Sequence, residues 1–194
     1  MDFDHFAESY EDLLRTNLGA YGQDAAYYVE YKVLMMKRYA EHKDPCSVLD
    51  FGCGIGRSLP YLRRYFPESA IWGYDPSQDS LRIAQRNHPQ CSFFSCDLDL
   101  SCRFDVVLAS CVFHHISYVE RDAVMARIRS VMNPAGELFI FEHNPYNPLT
   151  RHAVNTCPFD KDAELLTQRE MARLALRSGL TVVAKKYTLF FPSL

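Results

Sequence analysis

The sequence predicts an α/β fold, a mostly parallel sheet with helices packed on both faces. Three observations predict it. Short apolar runs bounded by turn residues alternate, across residues 46–191, with longer stretches whose apolar residues recur at helical spacing. The first such run ends in a turn carrying three glycines, Gly52, Gly54 and Gly56. And 194 residues, 48% of them apolar and 23% charged, suffice for one domain with a core on each side of a sheet.

The elements follow in order. Residues 2–14, DFDHFAESYEDLL, put Phe3, Phe6, Ala7, Tyr10, Leu13 and Leu14 on one helical face. After a glycine-containing break at 18–24, residues 25–42 continue helical. The period then changes. CSVLDFG (46–52) is the first strand, and RSLPYLRRYF (57–66) is a helix with Pro60 in its first turn. AIWGYD (70–75) is the second strand, and SQDSLRIAQRNH (77–88) an amphipathic helix with Ser77 as its N-cap. CSFFSCD (91–97) and FDVVLAS (104–110) are the third and fourth strands. YVERDAVMARIRSVM (118–132) is a helix closed by the turn NPAG (133–136), and ELFIFEH (137–143) is the fifth strand. A loop covers 144–166, a helix 167–179, and LTVVAKKYTLFF (180–191) is expected to form a sixth strand.

Composition excludes several classes. No uncharged apolar stretch reaches the roughly eighteen residues a membrane span needs. The acidic N-terminus lacks the basic and apolar regions of an export signal. A net charge of −3 argues against a large phosphate-binding surface, and hence against a nucleic-acid partner. Seven cysteines (46, 53, 91, 96, 102, 111 and 157) form no C-x-x-C pair, and several lie in apolar runs such as CSFFSC and LASCVF. They are expected to be buried thiols of a cytoplasmic, reduced chain, with no metal.

The glycine turn carries the chemistry. Asp50 ends the first strand, the glycines follow at positions 52, 54 and 56, and Asp75 ends the second strand 19 residues beyond Gly56. Glycines permit positive φ and close approach by a ligand, and an acid ending the second strand suits the two hydroxyls of an adenosine ribose. NAD, FAD and S-adenosylmethionine all fit so far. The spacing is G-x-G-x-G, not the G-x-G-x-x-G that seats a pyrophosphate on a helix N-terminus. Asp50 would also repel a diphosphate, whereas a ligand bearing an ammonium and a sulfonium welcomes a carboxylate there. An NAD-dependent oxidoreductase would have to tolerate that repulsion.

These segments resemble class I S-adenosylmethionine-dependent methyltransferases, nearly end to end. VLDFGCGIGR (48–57) resembles the family's first motif, IWGYDPS (71–77) its second and SCDLDL (95–100) its third. FDVVLASCVFHHI (104–116) resembles the fourth strand and the segment after it, MNPAGELFIFEH (132–143) the turn and fifth strand, and FDHFAESYEDLL (3–14) the helix that lids the cofactor. The resemblance implies a Rossmann-like, doubly wound fold that binds S-adenosylmethionine and releases S-adenosylhomocysteine. Gly52, Cys53, Gly54 and Gly56 would then give backbone to the methionine and ribose, and Asp50 would anchor the methionine end, directly or through water. Asp75 would take the ribose hydroxyls, with Pro76 and Ser77 beside the adenine. Asp97 would accept from the adenine amino group, with Asp99 as its rival, and Leu98 would pack on the ring. Ser110 would face the amino-acid portion, and Tyr10 would close over it. The single domain divides into an N-terminal lid (1–43), a cofactor-binding core (44–143), an acceptor loop (144–166) and a last helix and strand (167–194).

Methyl transfer is an in-line displacement that depends chiefly on alignment, often with a base for the acceptor's proton. Candidates lie at the ends of the fourth and fifth strands. His115 stands where some ubiquinone-pathway O-methyltransferases carry a metal-binding histidine. Their accompanying acids correspond here to Cys111 and His114, so no metal is expected and His115 is a candidate general base, with His114 behind it. Glu142 and His143 either contact the acceptor or tie down the loop. Tyr146, Arg151, His152, Asn155 and Phe159 offer an acceptor wall in a loop long for a compact domain.

One departure concerns the C-terminus. The family's sheet ends in a hairpin whose last strand is antiparallel, whereas here the expected sixth strand is followed only by PSL, so that seventh strand is missing and truncation is expected. The acceptor is expected to be a small molecule, a lipid or sugar precursor included, methylated on oxygen, nitrogen or carbon. Base-modifying relatives carry an Asn/Asp-Pro-Pro-Tyr/Phe motif where SCVFHH stands, which argues against RNA as the acceptor. A non-catalytic cofactor-binding protein, or a subunit needing an activating partner, is the alternative. The sequence leaves the oligomeric state open.

Overall fold

The computed structural model of the chain describes residues 25–95 and 103–188. Tyr10, Asp97, Leu98 and Asp99 lie outside the described residues, as does the expected helix over 2–14. The elements are α1 (Ala25–Tyr39), β1 (Ser47–Phe51), α2 (Leu59–Tyr65), β2 (Ala70–Tyr74), α3 (Gln78–Asn87), β3 (Ser92–Phe94) and β4 (Phe104–Ser110). There follow α4 (Arg121–Ser130), β5 (Met132–Phe141), α5 (Pro148–Thr156) and α6 (Gln168–Arg177). Short 3-10 turns occupy Phe113–His115 and Pro158–Asp160.

Among the described residues the sheet has five strands in the order β3-β2-β1-β4-β5, all parallel. The order reverses between β1 and β4, so the crevice for a ligand opens at the carboxyl ends of those two strands. Alternation along the central strands divides the core. Leu49, Phe51, Val107 and Ala109 enter one cluster with Met125, Ile128 and Leu174 of α4 and α6. Val48, Val106 and Leu108 enter the other with Val33 and Met36 of α1 and Leu59 and Leu62 of α2. Side chains two apart share a face, so both faces of the sheet are covered and the expected α/β architecture forms.

Two sequence expectations are corrected. The segment NPAG does not close a helix before a separate strand; it lies inside β5 as an irregularity. Phe104 pairs with Met132 while Val106 already pairs with Glu137, so residues 133–136 bulge against Asp105. Asn133 Nδ2 donates to Asp105 Oδ1 at 2.6 Å, and a Cβ on Gly136 would lie 2.9 Å from the Phe104 carbonyl oxygen. The strands can close there only around a glycine.

The expected sixth strand is also not formed over its described part: residues 180–188 make no strand pairing, and β5 is the sheet's edge among the described residues. The competing contacts are with α1. Lys186 Nζ donates to Tyr39 Oη at 2.7 Å and lies 4.0 Å over that ring, while Val183 is 85% exposed rather than packed on the sheet.

Candidate functional site

The glycine turn is fastened to the end of β2. The Gly52 and Cys53 amides both donate to the Tyr74 carbonyl, at 2.7 and 2.9 Å. Asp75, next in the chain, turns back so that Oδ2 accepts from the Gly54 amide at 2.7 Å and Oδ1 from the Ser77 amide at 2.9 Å. Ser77 caps α3 as expected, its hydroxyl accepting from the Ser80 amide at 3.1 Å. Pro76 beside it is exposed. Gly54 has φ of +52°, and a Cβ there would meet nothing within 4 Å, so its backbone borders open space. Gly52 is the opposite case: at φ of +77° a Cβ would lie 2.6 Å from Val112 Cγ2.

Asp50 shares a sheet face with Val48 and is 2% exposed, accepting a hydrogen bond from the Ser58 hydroxyl just before α2. Burial raises its carboxyl to about 7 and the charge of Asp75 adds to the rise, against Ser58 and Lys32. Cys53 is buried within the turn, and burial raises its thiol further.

At the end of β4, Lys32 reaches across from α1. Its ammonium donates to Ser110 Oγ at 2.9 Å and to Cys111 Sγ at 3.0 Å. Cys111 is half-buried and not the inert core thiol expected, and it adopts φ of +60°, a left-handed conformation uncommon for a side-chain-bearing residue. Burial would raise its thiol, but Lys32, His143 and His114 outweigh burial and hold it at about 5.

Beyond Cys111 the chain enters the 3-10 turn, and Glu142 at the end of β5 organises it. Oε1 accepts from the Val112 and Phe113 amides at 2.9 and 2.7 Å, and Oε2 pairs with His114 Nδ1 at 2.5 Å. Of the two roles open to Glu142, the geometry favours tying down the turn. His114 is fully buried, with its ring 4.0 Å from that of His115 and 4.9 Å from that of His143.

Asp160 completes the group from the second 3-10 turn. Its Oδ1 lies 3.3 Å from His115 Nε2 and 3.6 Å from His114 Nε2. Burial would lower the His114 imidazole, but Asp160 and Glu142 outweigh it and raise it to about 10. Burial and the neighbouring His114 together lower His115 to about 4. The loop bearing Asp160 is pinned to the His114 turn: the Glu164 amide donates to the His114 carbonyl at 2.8 Å. Arg121, itself buried, donates to the carbonyls of Ile116 (2.9 Å) and Glu164 (3.0 Å).

A cleft of about 860 Å³ opens beside this group, with Lys32, Arg57, Cys111, His115 and His143 among its lining residues. The 144–166 segment does wall it, but not with the expected residues. It folds into α5, which turns Leu149, Thr150, Ala153 and Val154 to the cleft. Tyr146, Arg151, His152 and Asn155 are exposed and do not line the cleft. Only the backbone of Phe159 is described.

The structure thus brings together Asp50, Gly52, Cys53, Gly54, Gly56, Asp75, Pro76 and Ser77 at the turn, and His114, His115, Glu142 and His143 at the cleft, with Ser110 bonded to the cleft-lining Lys32. Sequence reasoning missed Lys32 and Asp160, whose partners are 78 and 45 positions distant. No local signal marks either; both act through tertiary contact.

The comparisons identify the family and the fold. Residues 24–185 match the family described as "Methyltransferase domain". Malonyl-[acyl-carrier protein] O-methyltransferase of Halalkalibacterium halodurans is 26% identical over 164 residues, 79% of this chain and 56% of that protein, so the chain spans about half the length of this curated relative. A TehB-like SAM-dependent methyltransferase from Corynebacterium glutamicum superposes with a TM-score of 0.62 at 21% identity, covering 90% of this chain and 83% of the other. The plantazolicin methyltransferase BpumL, solved in complex with SAH, gives 0.66 at 15% identity, covering 91% and 72%. With its glycine turn, strand-end acid and parallel sheet all in place, the chain belongs to the family of S-adenosylmethionine-dependent methyltransferase domains.

Proposed function

We propose that the protein transfers a methyl group from S-adenosylmethionine to a small-molecule acceptor held in the cleft, leaving S-adenosylhomocysteine. The carrying observation is Lys32. It bonds Ser110 and Cys111 at the end of β4 and also lines the cleft, so the donor and acceptor sides adjoin at the switch point of the sheet. When bound, the cofactor supplies a methyl carbon already activated by its sulfonium.

This chain's residues supply binding and alignment. The open backbone at Gly54 gives room for the ribose and methionine portion, while Gly52 and Gly56 let the turn that carries it pack closely against Val112 and against His88 and Leu59. Asp75 engages the ribose hydroxyls, with Pro76 and Ser77 beside the adenine; its bonds to the Gly54 and Ser77 amides at the turn support that reading. Ser110 and Lys32 suit the amino-acid end, Lys32 pairing with its carboxylate, while Asp50 supplies the countercharge to its ammonium. Asp97 and Leu98 at the adenine, and Tyr10 with the 1–43 segment as a lid, complete the reading. On the acceptor side Phe139, Phe141, Val154 and Met171 offer an apolar wall, and His143 at the inner end can hydrogen-bond the nucleophile. Oxygen is the favoured nucleophile, in keeping with the O-methyltransferase relative.

Calorimetry with S-adenosylmethionine, S-adenosylhomocysteine and NAD tests the donor. Heat with the first two and none with NAD is expected; heat with NAD alone would overturn the reading. Release of S-adenosylhomocysteine on adding small organic acids and alcohols tests turnover. Cofactor binding with no release across extract metabolites would leave only a binding protein.

A further inference from the structure

We infer that His114, His115 and Asp160 form a binding site for a divalent first-row transition-metal ion at the wall of the cleft. One donor atom from each of the three lies within 4.8 Å of the others, and all three residues line the cleft. Donors about 2.1 Å from a tetrahedral ion stand about 3.4 Å apart. The two histidine Nε2 atoms are 3.3 and 3.6 Å from Asp160 Oδ1, so an ion needs only a small closure of the group.

The second observation is an unpartnered atom. His114 Nε2 is buried, on a side chain 1% exposed, and makes no hydrogen bond; Asp160 lies beyond hydrogen-bonding distance. Such an atom is costly unless something occupies the space before it. The other ring nitrogen explains its orientation. Glu142 Oε2 sits 2.5 Å from His114 Nδ1, and Glu142 is itself fixed by two backbone amides. A carboxylate holding Nδ1–H directs Nε2 at the ligand, where an ion would displace its proton, and this is how metal-bound histidines are ordinarily supported from behind.

Asp160 is held in register as well, because Arg121 ties the Asp160 loop to the residues following the histidine turn. The donor set selects the ion. Two imidazoles and one carboxylate suit zinc or a divalent iron- or manganese-like ion, whereas magnesium and calcium prefer oxygen ligands. Three protein ligands leave at least one position toward the cleft, where an acceptor oxygen can bind and become more acidic. That last role rests on the function proposed above, whereas the metal site does not. With an ion bound, His115 would be a ligand and not the metal-free base expected from the sequence, and the ion would supply the acidification of the acceptor oxygen.

The test uses the full chain without cofactor, so that failure of the methyl-transfer reading leaves its outcome untouched. Zn²⁺ is titrated in competition with a chromophoric chelator, and Co²⁺ is followed by its visible d–d absorption. One equivalent of Zn²⁺ is expected to bind and to raise the melting temperature. His115→Ala, the least buried of the three, and Asp160→Asn should each weaken binding at least about tenfold, and Glu142→Gln by about 10- to 100-fold. Circular dichroism of each variant without metal establishes that it is folded. No Zn²⁺ binding by the wild type, or binding unchanged in folded His115→Ala, would overturn the site. Displacement of Zn²⁺ by equimolar Mg²⁺ would overturn the assignment to a transition metal.

Discussion

Asp50 lies at 2% exposure under the glycine turn, faced by the Asp75 carboxylate, the Ser58 hydroxyl, the Cys53 thiol and the Lys32 ammonium. Burial raises it to about 7 from an ordinary 3.8, so the folded protein without cofactor holds a proton that the unfolded chain releases. The sign follows directly. This group's contribution to stability is complete below about pH 4, declines as pH rises and is gone above 7. A cationic methionine end reverses the preference, because it favours the ionised carboxylate. Binding of S-adenosylmethionine should therefore release a proton below pH 7 and weaken as pH falls, by up to about tenfold per pH unit. Calorimetry at pH 6 in buffers of different ionisation enthalpy measures the proton; zero release would remove Asp50 from the ligand's surroundings. Asp75 acts differently, since one of its oxygens already holds the Gly54 amide at 2.7 Å. Asp75→Asn should lower cofactor affinity at least about tenfold, or about 1.4 kcal/mol, by titration of the folded variant. Unchanged affinity would show that Asp75 serves only the turn.

At the scale of elements, legibility followed local signals. β4 is legible to the residue because the apolar run VVLA is flanked by Asp105 and Ser110, and α3 from its cap at Ser77. α5 was missed within a segment expected to be a loop, although its signals are present in the sequence. Asn147 is an N-cap whose Oδ1 accepts from the Leu149 and Thr150 amides at 2.9 and 3.4 Å, and Pro148 follows it in the first turn. Once the segment is helical, its period decides which side chains face the cleft. Ala153 and Val154 turn inward with Leu149 at the exposed rim of the cleft, while Arg151, His152 and Asn155 turn to solvent. The expected sixth strand is not formed among its described residues for the opposite reason: 180–188 carry β-branched residues in a strand pattern, but pairing depends on a neighbour and these residues pair with none, while Lys186 contacts Tyr39. Asn147→Ala should destabilise α5 by about 1 kcal/mol, seen as a lower denaturant midpoint or as faster hydrogen exchange confined to 148–156. Exchange unchanged in that segment would mean that packing, not the cap, holds the helix.

For the molecule as a whole, the sheet sets out the cofactor turn while the cleft is assembled from segments distant in sequence. His114 and His115 follow β4, Glu142 ends β5, and Asp160 arrives after α5. Hydrophobic period cannot announce such an assembly, because each of these residues is polar and its partner is fixed only when the chain has folded. Arg121 is the joint. From the start of α4 it donates to the Ile116 and Glu164 carbonyls and pairs with the Glu164 carboxylate at 3.2 Å, while the Glu164 amide meets the His114 carbonyl. Removing a buried guanidinium strands two carbonyls, each worth about 1–3 kcal/mol when left unsatisfied unless water replaces the donor. Arg121→Ala should lower unfolding stability by about 2 kcal/mol in urea titration. It should also speed exchange of the Glu164 amide more than that of β1 and β4 amides, because the joint can open without melting the sheet. Equal acceleration throughout would mean that the cleft wall and the sheet unfold as one unit, and that Arg121 supports global stability rather than the register of Asp160 against the two histidines.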